Sequence, residues 1–372
     1  MTRQGRALFA AVILLVAGVS SGCSNGGGTA DASSIRVWAL GFGDDVAVLR
    51  SDDGGATWEV AARFETGPDE PTARLNDIAF VDTDTGWVVG ENLFLRSADG
   101  GSSWTDALGT VQIPAGVRLR LNAIGFNAAG VGAAAGDQLP APGQITGSPI
   151  ILITIDAGGS WVPASIAALS QERLATIQSV CLTPDGNGVA VGDGAQGSIV
   201  LVSQDRGSSW EEISDERLGF KGENVACSDD AALWILGVDE DGPRLATSSD
   251  GGATWVNQSR DVGQLLGSAD VVIFADSVSG WISGLSDSTP SIIHSEDGGS
   301  SWNRQSFPAG GAVGDFAFVT AEEGVAVGVT QSGLSSAPAA FYTNDGGSTW
   351  LTGELPDAGL SFLRAASAVV VD

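Results

Sequence analysis

Short stretches of alternating apolar and polar residues run along the chain from residue 35 to its end. One example is residues 77–81, where Asp77 is followed by Ile78, Ala79, Phe80 and Val81. A period of two residues over such short segments predicts half-buried β-strands rather than helices. Gly and Asp punctuate these segments, and 53 of the 372 residues are Gly. The pattern therefore predicts an all-β protein with many tight turns.

A second pattern repeats seven times. It reads [S/T]-x-D-x-G-x-[S/T]-W, and successive copies are 45 to 57 residues apart. This period is typical of one four-stranded blade per repeat. The seven Asp and seven Trp residues are Asp53, Asp99, Asp156, Asp205, Asp250, Asp297, Asp345, Trp58, Trp104, Trp161, Trp210, Trp255, Trp302 and Trp350.

The strand count predicts how the ring of blades closes. Each repeat supplies strands A, B, C and D in chain order, but only two apolar segments precede the first Asp turn, so the first repeat lacks its A strand. The tail, Leu360 to Asp372, offers the missing strand. We therefore predict one domain, residues 35–372, forming a seven-bladed β-propeller that the C-terminal strand closes by joining the N-terminal blade. Closure removes exposed sheet edges.

The repeated Asp and Trp residues are best explained by architecture. An Asp at the start of a hairpin turn accepts hydrogen bonds from N–H groups two or three residues on, and the Trp covers an apolar face. We expect structural roles for all fourteen and assign none of them to catalysis.

Composition excludes several classes of function. The 45 acidic residues outnumber the 17 basic ones, the formal charge is −28, and Lys221 is the single Lys, so nucleic acid is not an expected partner. One His and three Cys are too few for a multi-histidine metal site or a disulfide framework. We predict no metal and no cofactor.

The N-terminus has the features of an export signal. Arg3 and Arg6 precede an apolar run from Ala7 to Val19, which is too short to cross a bilayer. We expect residues 1–22 to be a signal peptide. Cys23 follows a sequence similar to a bacterial lipobox, so residues 23–34 would be a lipidated Cys and its flexible tether. This predicts a lipid-anchored protein on the extracytoplasmic side of a bacterial membrane; plain secretion is the alternative.

Two further cysteines lie 46 residues apart, Cys181 and Cys227, in neighbouring predicted A strands. Aligning the repeats gives them opposite parity, which points them to opposite sheet faces. This favours two buried thiols over a disulfide, although oxidising export conditions leave the disulfide open.

The repeated turns are Asp boxes, also called bacterial neuraminidase repeats. The longer unit, from Asn76 to Gly90 and on to Ser97–Trp104, resembles the photosystem II stability and assembly factor family. This resemblance implies a non-enzymatic propeller that binds a protein or peptide and serves as an assembly factor. Sialidases share the box, but the Arg-Ile-Pro type motif is missing and the single Tyr, Tyr342, lies directly before the last box. A glycoside hydrolase or carbohydrate-binding propeller is the alternative.

One group of cations stands in a shared register. Arg74, Arg120 and Lys221 lie six residues before the ends of three A strands, close to the propeller axis at the end that carries the variable loops. Arg118 and Arg364 are expected to join them. In so acidic a protein they predict a site for a carboxylate, a phosphate or an acidic segment; the alternative is that they pair with acids such as Asp77 and Glu223. Repeats three and seven carry Pro/Gly/Ser-rich excursions after their B strands, Asp137 to Ser148 and Thr330 to Pro338, which would wall a groove at this end; the alternative is that they are tolerated insertions.

Overall fold

A computed structural model describes residues 35–64, 74–114, 116–139, 148–167, 175–194, 197–213, 218–228, 230–258, 260–332 and 335–371. The expected signal peptide, Cys23 and its tether lie outside these residues. The described chain forms seven sheets, each with an A strand nearest the axis and a D strand at the rim. Successive A strands contact one another all the way round. The seven-bladed propeller is thereby confirmed.

The first four blades hold sixteen strands in the order A to D, plus one additional strand. Blade 1 contains β29 (Leu360–Val370), β1 (Ile35–Gly43), β2 (Val46–Ser51) and β3 (Glu59–Phe64). Blade 2 contains β4 (Leu75–Phe80), β5 (Thr85–Gly90), β6 (Leu93–Ala98) and β7 (Thr105–Asp106). Blade 3 contains β8 (Leu119–Phe126), β9 (Gly132–Gln138), β10 (Ser148–Thr154) and β11 (Val162–Pro163). Blade 4 contains β13 (Ala175–Leu182), β14 (Gly188–Gly194), β15 (Gly197–Ser203) and β16 (Ser209–Glu212), with β12 (Ser165–Ile166) added in parallel to β16.

The remaining three blades follow the same order. Blade 5 contains β17 (Lys221–Cys227), β18 (Leu233–Asp239), β19 (Gly242–Ser248) and β20 (Val256–Asn257). Blade 6 contains β21 (Ser268–Phe274), β22 (Gly280–Ser286), β23 (Thr289–Ser295) and β24 (Asn303–Arg304). Blade 7 contains β25 (Gly311–Phe318), β26 (Gly324–Ser332), β27 (Ser335–Thr343) and β28 (Leu351–Thr352). The described residues also include a 3₁₀ turn (Leu108–Thr110) and one helix, α1 (Arg260–Leu265), which the sequence pattern did not predict.

The C-terminal strand closes the ring as predicted. β29 pairs antiparallel with β1, for example Ser367 with Trp38, and so supplies the A strand of blade 1. It also packs against β25 of blade 7 and β4 of blade 2. The first and last parts of the chain are therefore held in one sheet.

The core lies between blades rather than within any one sheet. Each of seven apolar clusters joins the facing surfaces of neighbouring blades. In the cluster between blades 2 and 3, Trp87 and Phe94 from one blade meet Phe126 and Trp161 from the next, all of them buried. Because both faces of every blade are covered in this way, the inner strands are more continuously apolar than a half-exposed strand would be.

The Asp boxes hold their turns through side-chain hydrogen bonds. In the blade 2 box, the Asp99 carboxylate accepts from the Ser103 N–H (2.8 Å) and hydroxyl (2.6 Å), and also from the Ser97 hydroxyl (2.9 Å). These bonds hold the pKa of Asp99 below its ordinary value, with the Ser103 hydroxyl contributing most. The main-chain donor at 2.8 Å lies four residues on, one position further than expected, and Gly100 and Gly101 between them both adopt positive φ.

The buried hydroxyl that opens each box provides a test of this arrangement. The Oγ of Ser97, 1% exposed, accepts from the buried N–H of Gly101 at 2.8 Å. Ser97→Ala is expected to lower the free energy of unfolding by about 1–3 kcal/mol, because the N–H is left without an acceptor. Chemical denaturation measures the change. Ser102→Ala, an exposed change in the same turn, is the control, and equal stability of the two variants would contradict this role.

The two cysteines form a disulfide, contrary to the favoured expectation of free thiols. Cys181 of β13 and Cys227 of β17 are bonded, with their Cα atoms 5.9 Å apart. The prediction that the two side chains point to opposite faces of their own sheets is confirmed. Cys181 lies on the face of blade 4 that is turned towards blade 5, and Cys227 lies on the face of blade 5 that is turned towards blade 4. The inference from it was wrong. Neighbouring blades pack front to back, so residues of opposite parity on adjacent blades face each other.

Candidate binding site at the loop end of the axis

A β-bulge interrupts the A strands near the end that carries the variable loops. In blades 2 and 3 the bulge falls at Asn76 and Asn122, where the pairing with the B strand skips one residue. It brings the A-strand backbone close to the B-strand glycine predicted in every repeat. A Cβ on Gly90 would lie 1.9 Å from the carbonyl oxygen of Arg74, and one on Gly136 would lie 1.9 Å from that of Arg120. Only glycine at these two B-strand positions leaves room for the A-strand backbone at the bulge. The bulge in turn sets the position of Arg74 and Arg120, which precede it.

In each blade, the residue directly after the B-strand glycine and the residue opposite it, at or near the start of the A strand, lie at this end of the propeller. We call these seven pairs the loop-end ring. In blade order they are Phe362 with Phe42, Arg74 with Glu91, Arg120 with Asp137, Thr176 with Asp193, Lys221 with Val238, Ser268 with Leu285, and Ala312 with Val329.

Ion pairs form the part of the ring that spans blades 2 to 5, which we call the charged arc. The Arg120 guanidinium binds Asp137 through two hydrogen bonds of 2.9 and 3.0 Å, and Asp137 also accepts from the Thr176 hydroxyl at 2.6 Å. Asp137 is buried and fully engaged. Arg74 contacts Glu91 at 3.3 Å, and its side chain is 70% exposed, against 41% for Arg120. Arg74 is therefore the more available of the two guanidinium groups.

The other predicted cations lie at different depths. Lys221 contacts Asp193 of blade 4 at 3.0 Å and Glu223 at 3.3 Å. The three cations of the shared register therefore each pair with an acid, as the alternative expected, and Glu223 is one of the two acids named there. Arg118 is exposed just before β8. Arg364 lies deeper, at the bulge of β29. The structure thus brings Arg74, Arg120 and Lys221 into one ring and places Arg364 below it.

Below the ring, polar side chains connect neighbouring A strands. Asp77 of β4 accepts from the N–H of Ile124 on β8 at 2.7 Å, and Asp315 of β25 accepts from the N–H of Ala366 on β29 at 3.0 Å. Asn224 of β17 makes the equivalent bond to Val272 on β21 at 3.1 Å. These bonds satisfy N–H groups on the free edge of the innermost strand. Sequence reasoning did not assign them; the one available signal was a polar residue three positions before the end of an apolar strand.

Two of these carboxyls share one cation. Asp77 is 0% and Asp315 1% exposed, and Arg364 lies near enough to both to stabilise their charged forms. Burial nevertheless raises the pKa of Asp77 to about 8 and raises that of Asp315 well above its ordinary value, with the Asp77 charge adding to the second shift. Burial therefore favours the protonated form of both carboxyls, and the single guanidinium offsets this effect only in part.

Apolar pairs form the rest of the ring, which we call the apolar arc. It spans the Val238 position of blade 5, the pairs of blades 6 and 7, and the Phe42–Phe362 pair of blade 1, whose rings stack with centroids 5.1 Å apart. Phe362 is 40% and Leu285 39% exposed. Sequence reasoning missed this arc because the residues differ from blade to blade and become a group only when the ring closes.

The predicted excursions after the B strands lie at this end of the propeller. In blade 7 the excursion is an extension of the hairpin, since β26 and β27 continue to pair up to Ser332 with Ser335. In blade 3 the excursion leaves β9 and returns at Ser148, and its central residues lie outside the described part of the chain. The blade 7 hairpin therefore stands beside the apolar arc.

The residues relevant to an enzymatic alternative lie elsewhere. Tyr342 of β27 packs in the cluster between blades 7 and 1. His294 stacks on Trp281 at 4.7 Å, and burial lowers its pKa. Among the described residues, no group of three or more His, Cys, Asp or Glu side chains is arranged to hold a metal ion. That part of the chain also holds no helix long and apolar enough to span a membrane.

Comparisons with known proteins agree with the fold. The family model described as photosynthesis system II assembly factor YCF48 matches residues 38–138 and 64–166. The solved structure of YCF48 bound to D1 peptide is 19% identical, with a TM-score of 0.54 over 94% of this chain and 100% of that one. YCF48 from Cyanidioschyzon merolae is 16% identical over 75% of this chain and 85% of its own, with a TM-score of 0.49. A search of curated proteins found no match.

A glycoside hydrolase has a similar structure. An ancestral GH74 enzyme is 13% identical, with a TM-score of 0.52 over 92% of this chain, but this chain covers only 47% of that enzyme. At these identities structural similarity shows a shared fold and nothing about chemistry. With seven Asp boxes in seven blades and a family-model match within residues 38–166, the chain is an Asp-box β-propeller that resembles the photosystem II assembly factor family.

Proposed function

We propose that this protein is an exported, lipid-anchored β-propeller that binds a protein or peptide partner at the loop-end ring and helps to assemble an envelope complex. The observation that carries the proposal is the similarity, over 94% of this chain and 100% of the other, to the YCF48 structure bound to D1 peptide, together with the family-model match. The partner's identity is not transferred with the fold, and nothing in the chain indicates photosynthesis.

Two features of the chain support this proposal over an enzymatic one. In the Asp boxes, the repeated carboxylates are engaged by hydroxyl and N–H groups of their own turns, as Asp53 and Asp250 are, which leaves them committed to architecture. Within the loop-end ring, Asp137 accepts three hydrogen bonds. These groups are placed to hold structure rather than to move a proton to or from a substrate.

The disulfide supports export. Disulfides form and persist in oxidising compartments, outside the cytoplasm in most bacteria. The bond between Cys181 and Cys227 fits a protein that folds after crossing the membrane. Lipidation at Cys23 rests on the sequence resemblance to a lipobox, and metabolic labelling with a palmitate analogue, lost on Cys23→Ala, is the direct assay.

Charge reversal at the ring tests the binding function. Arg74→Glu places a carboxylate beside Glu91 and is expected to reduce recovery of a cross-linked envelope partner at least tenfold, and Arg120→Glu to do the same by leaving Asp137 without its cation. Quantitative mass spectrometry after cross-linking in intact cells measures the recovery.

Arg206→Glu is the matched control, because Arg206 is exposed in the blade 4 Asp box at the opposite end of the propeller. Equal partner recovery by all three variants would exclude the ring as the binding site. Failure of the unsubstituted protein to cross-link to any envelope protein would contradict the proposed function itself.

A further inference from the structure

The loop-end ring is divided into two chemically different halves. Blades 2 to 4 contribute Arg–Glu, Arg–Asp and Thr–Asp pairs, whereas blades 6, 7 and 1 contribute Ser–Leu, Ala–Val and Phe–Phe pairs; the Lys–Val pair of blade 5 lies at one of the two boundaries. The fold itself does not require the two halves to differ, because each pair occupies the same position in its own sheet. The A strands of blades 6 and 7 become buried further along, from Val271 in β21 and Asp315 in β25.

The apolar arc has the composition of a contact surface. Phe362 and Leu285 are two large apolar side chains that are about 40% exposed. In blade 6 the small residue Ser268 lies opposite Leu285, and in blade 7 the small residue Ala312 lies opposite Val329. Small residues beside Leu285 and Val329 leave room for side chains of a ligand. Exposed aromatic and aliphatic residues grouped around one centre are typical of recognition sites.

The boundary between the halves at blades 1 and 2 places a cation beside the aromatic pair. β29 and β4 are neighbouring A strands. Phe362 and Arg74 occupy the same position in them, because Ser367 of β29 bonds to the N–H of Phe80 in β4, which keeps the two strands level. The Arg74 side chain is 70% exposed, and its nitrogen lies 3.3 Å from the Glu91 carboxylate. A guanidinium so placed can still bind a carboxylate.

We propose that the apolar arc binds an extended peptide segment whose apolar side chains lie along blades 6, 7 and 1 and whose carboxylate is bound by Arg74. This inference rests on the proposed function and adds the chemistry of the partner: apolar residues next to a carboxylate, rather than an acidic run or a phosphate. The extended hairpin of β26 and β27 borders the arc on the blade 7 side and would orient the segment.

Fluorescence polarisation with synthetic peptides tests this. The probe is fluorescein-labelled GSGSVLSLF with a free carboxyl terminus, used with its carboxyl-terminal amide and with a form in which Val, Leu and Phe are replaced by Ser. The full chain is expected to bind the free acid most tightly, the amide about tenfold more weakly, and the Ser form not measurably.

Substitutions then locate the site. Phe362→Ser and Leu285→Ser are each expected to weaken binding of the free acid about tenfold. Arg74→Gln is expected to remove the difference between acid and amide, which a change in folding alone would not do. Leu351→Ser, at a 48% exposed residue of the outer strand β28, is the matched control and is expected to bind as the unsubstituted protein does.

The outcomes separate this inference from the proposed function. If the peptides bind and Phe362→Ser, Leu285→Ser and Leu351→Ser are indistinguishable, the arc is not the site, although peptide binding stands. If no peptide binds while the cross-linking experiment still identifies an envelope partner, the proposed peptide chemistry is overturned and the proposed function remains. Preference for a peptide with an acidic run and no apolar residues would likewise overturn it.

Discussion

Replacing both Cys181 and Cys227 with Ala is expected to lower the free energy of unfolding by about 4 kcal/mol, because the bond closes a loop of 46 residues and restricts the unfolded chain. In a protein of this size that corresponds to a fall in melting temperature of about 6 °C. Differential scanning calorimetry of the two proteins, both folded without reductant, measures the difference.

Reduction provides the matching control for this prediction. Unsubstituted protein that is reduced while unfolded and then refolded in reductant should melt with the Cys181→Ala/Cys227→Ala variant, and the variant itself should not respond to reductant. Titration of two free thiols in unreduced, unfolded protein would show instead that the bond does not form.

Asp77→Asn is expected to flatten the dependence of stability on pH between about 5 and 8. Burial raises the pKa of Asp77 from 3.8 to about 8, so the folded state holds a proton that the unfolded state releases at lower pH. The stabilisation from this proton is fully present below pH 4 and is lost as pH rises through 8. The slope for one such group is about 1.4 kcal/mol per pH unit, and Asn, which resembles the protonated carboxyl, removes it.

Urea unfolding of both proteins across this pH range measures the slope. The carboxylates of the Asp boxes affect stability in a lower pH range. Hydrogen bonds hold the pKa of residues such as Asp99 below the ordinary value, so the stability that they contribute is lost only in acid. Asp84→Asn, the same change at an exposed turn residue, should leave the slope unaltered. An unaltered slope in Asp77→Asn would mean that Arg364 keeps the Asp77 carboxyl ionised in the folded protein.

The repeats carried enough information to predict the propeller from the sequence. The Asp turn, the B-strand Gly and the alternation of apolar residues are local signals, because each depends only on residues within about ten positions of one another. The side-chain hydrogen bonds that join Ser97, Asp99 and Ser103 lie within one turn, so the segment itself sets the geometry of that turn. Ring closure followed from counting strands, and the pairing of β29 with β1 confirms it.

The candidate site was predictable only in part. Arg74, Arg120 and Lys221 share a register, and the structure places them in one ring. Their partners were harder to predict, because Glu91 and Asp137 come from the neighbouring B strand, and Asp193 reaches Lys221 from another blade. Phe362 was not identified at all, since it lies in the last strand of the chain, and β29 and β4 become neighbours only after the ring has closed.

The sequence by itself determined the all-β class, the number of blades, the turn chemistry and the strand that closes the ring, because all of these depend on periodic signals carried by each repeat. The tertiary structure decided the contacts between blades: the Cys181–Cys227 bond, the burial of Asp77 and Asp315 around Arg364, and the division of the loop-end ring into apolar and charged halves. The physical reason is that neighbouring blades meet front to back, so residues about 45 or more positions apart become neighbours through packing that no single repeat encodes.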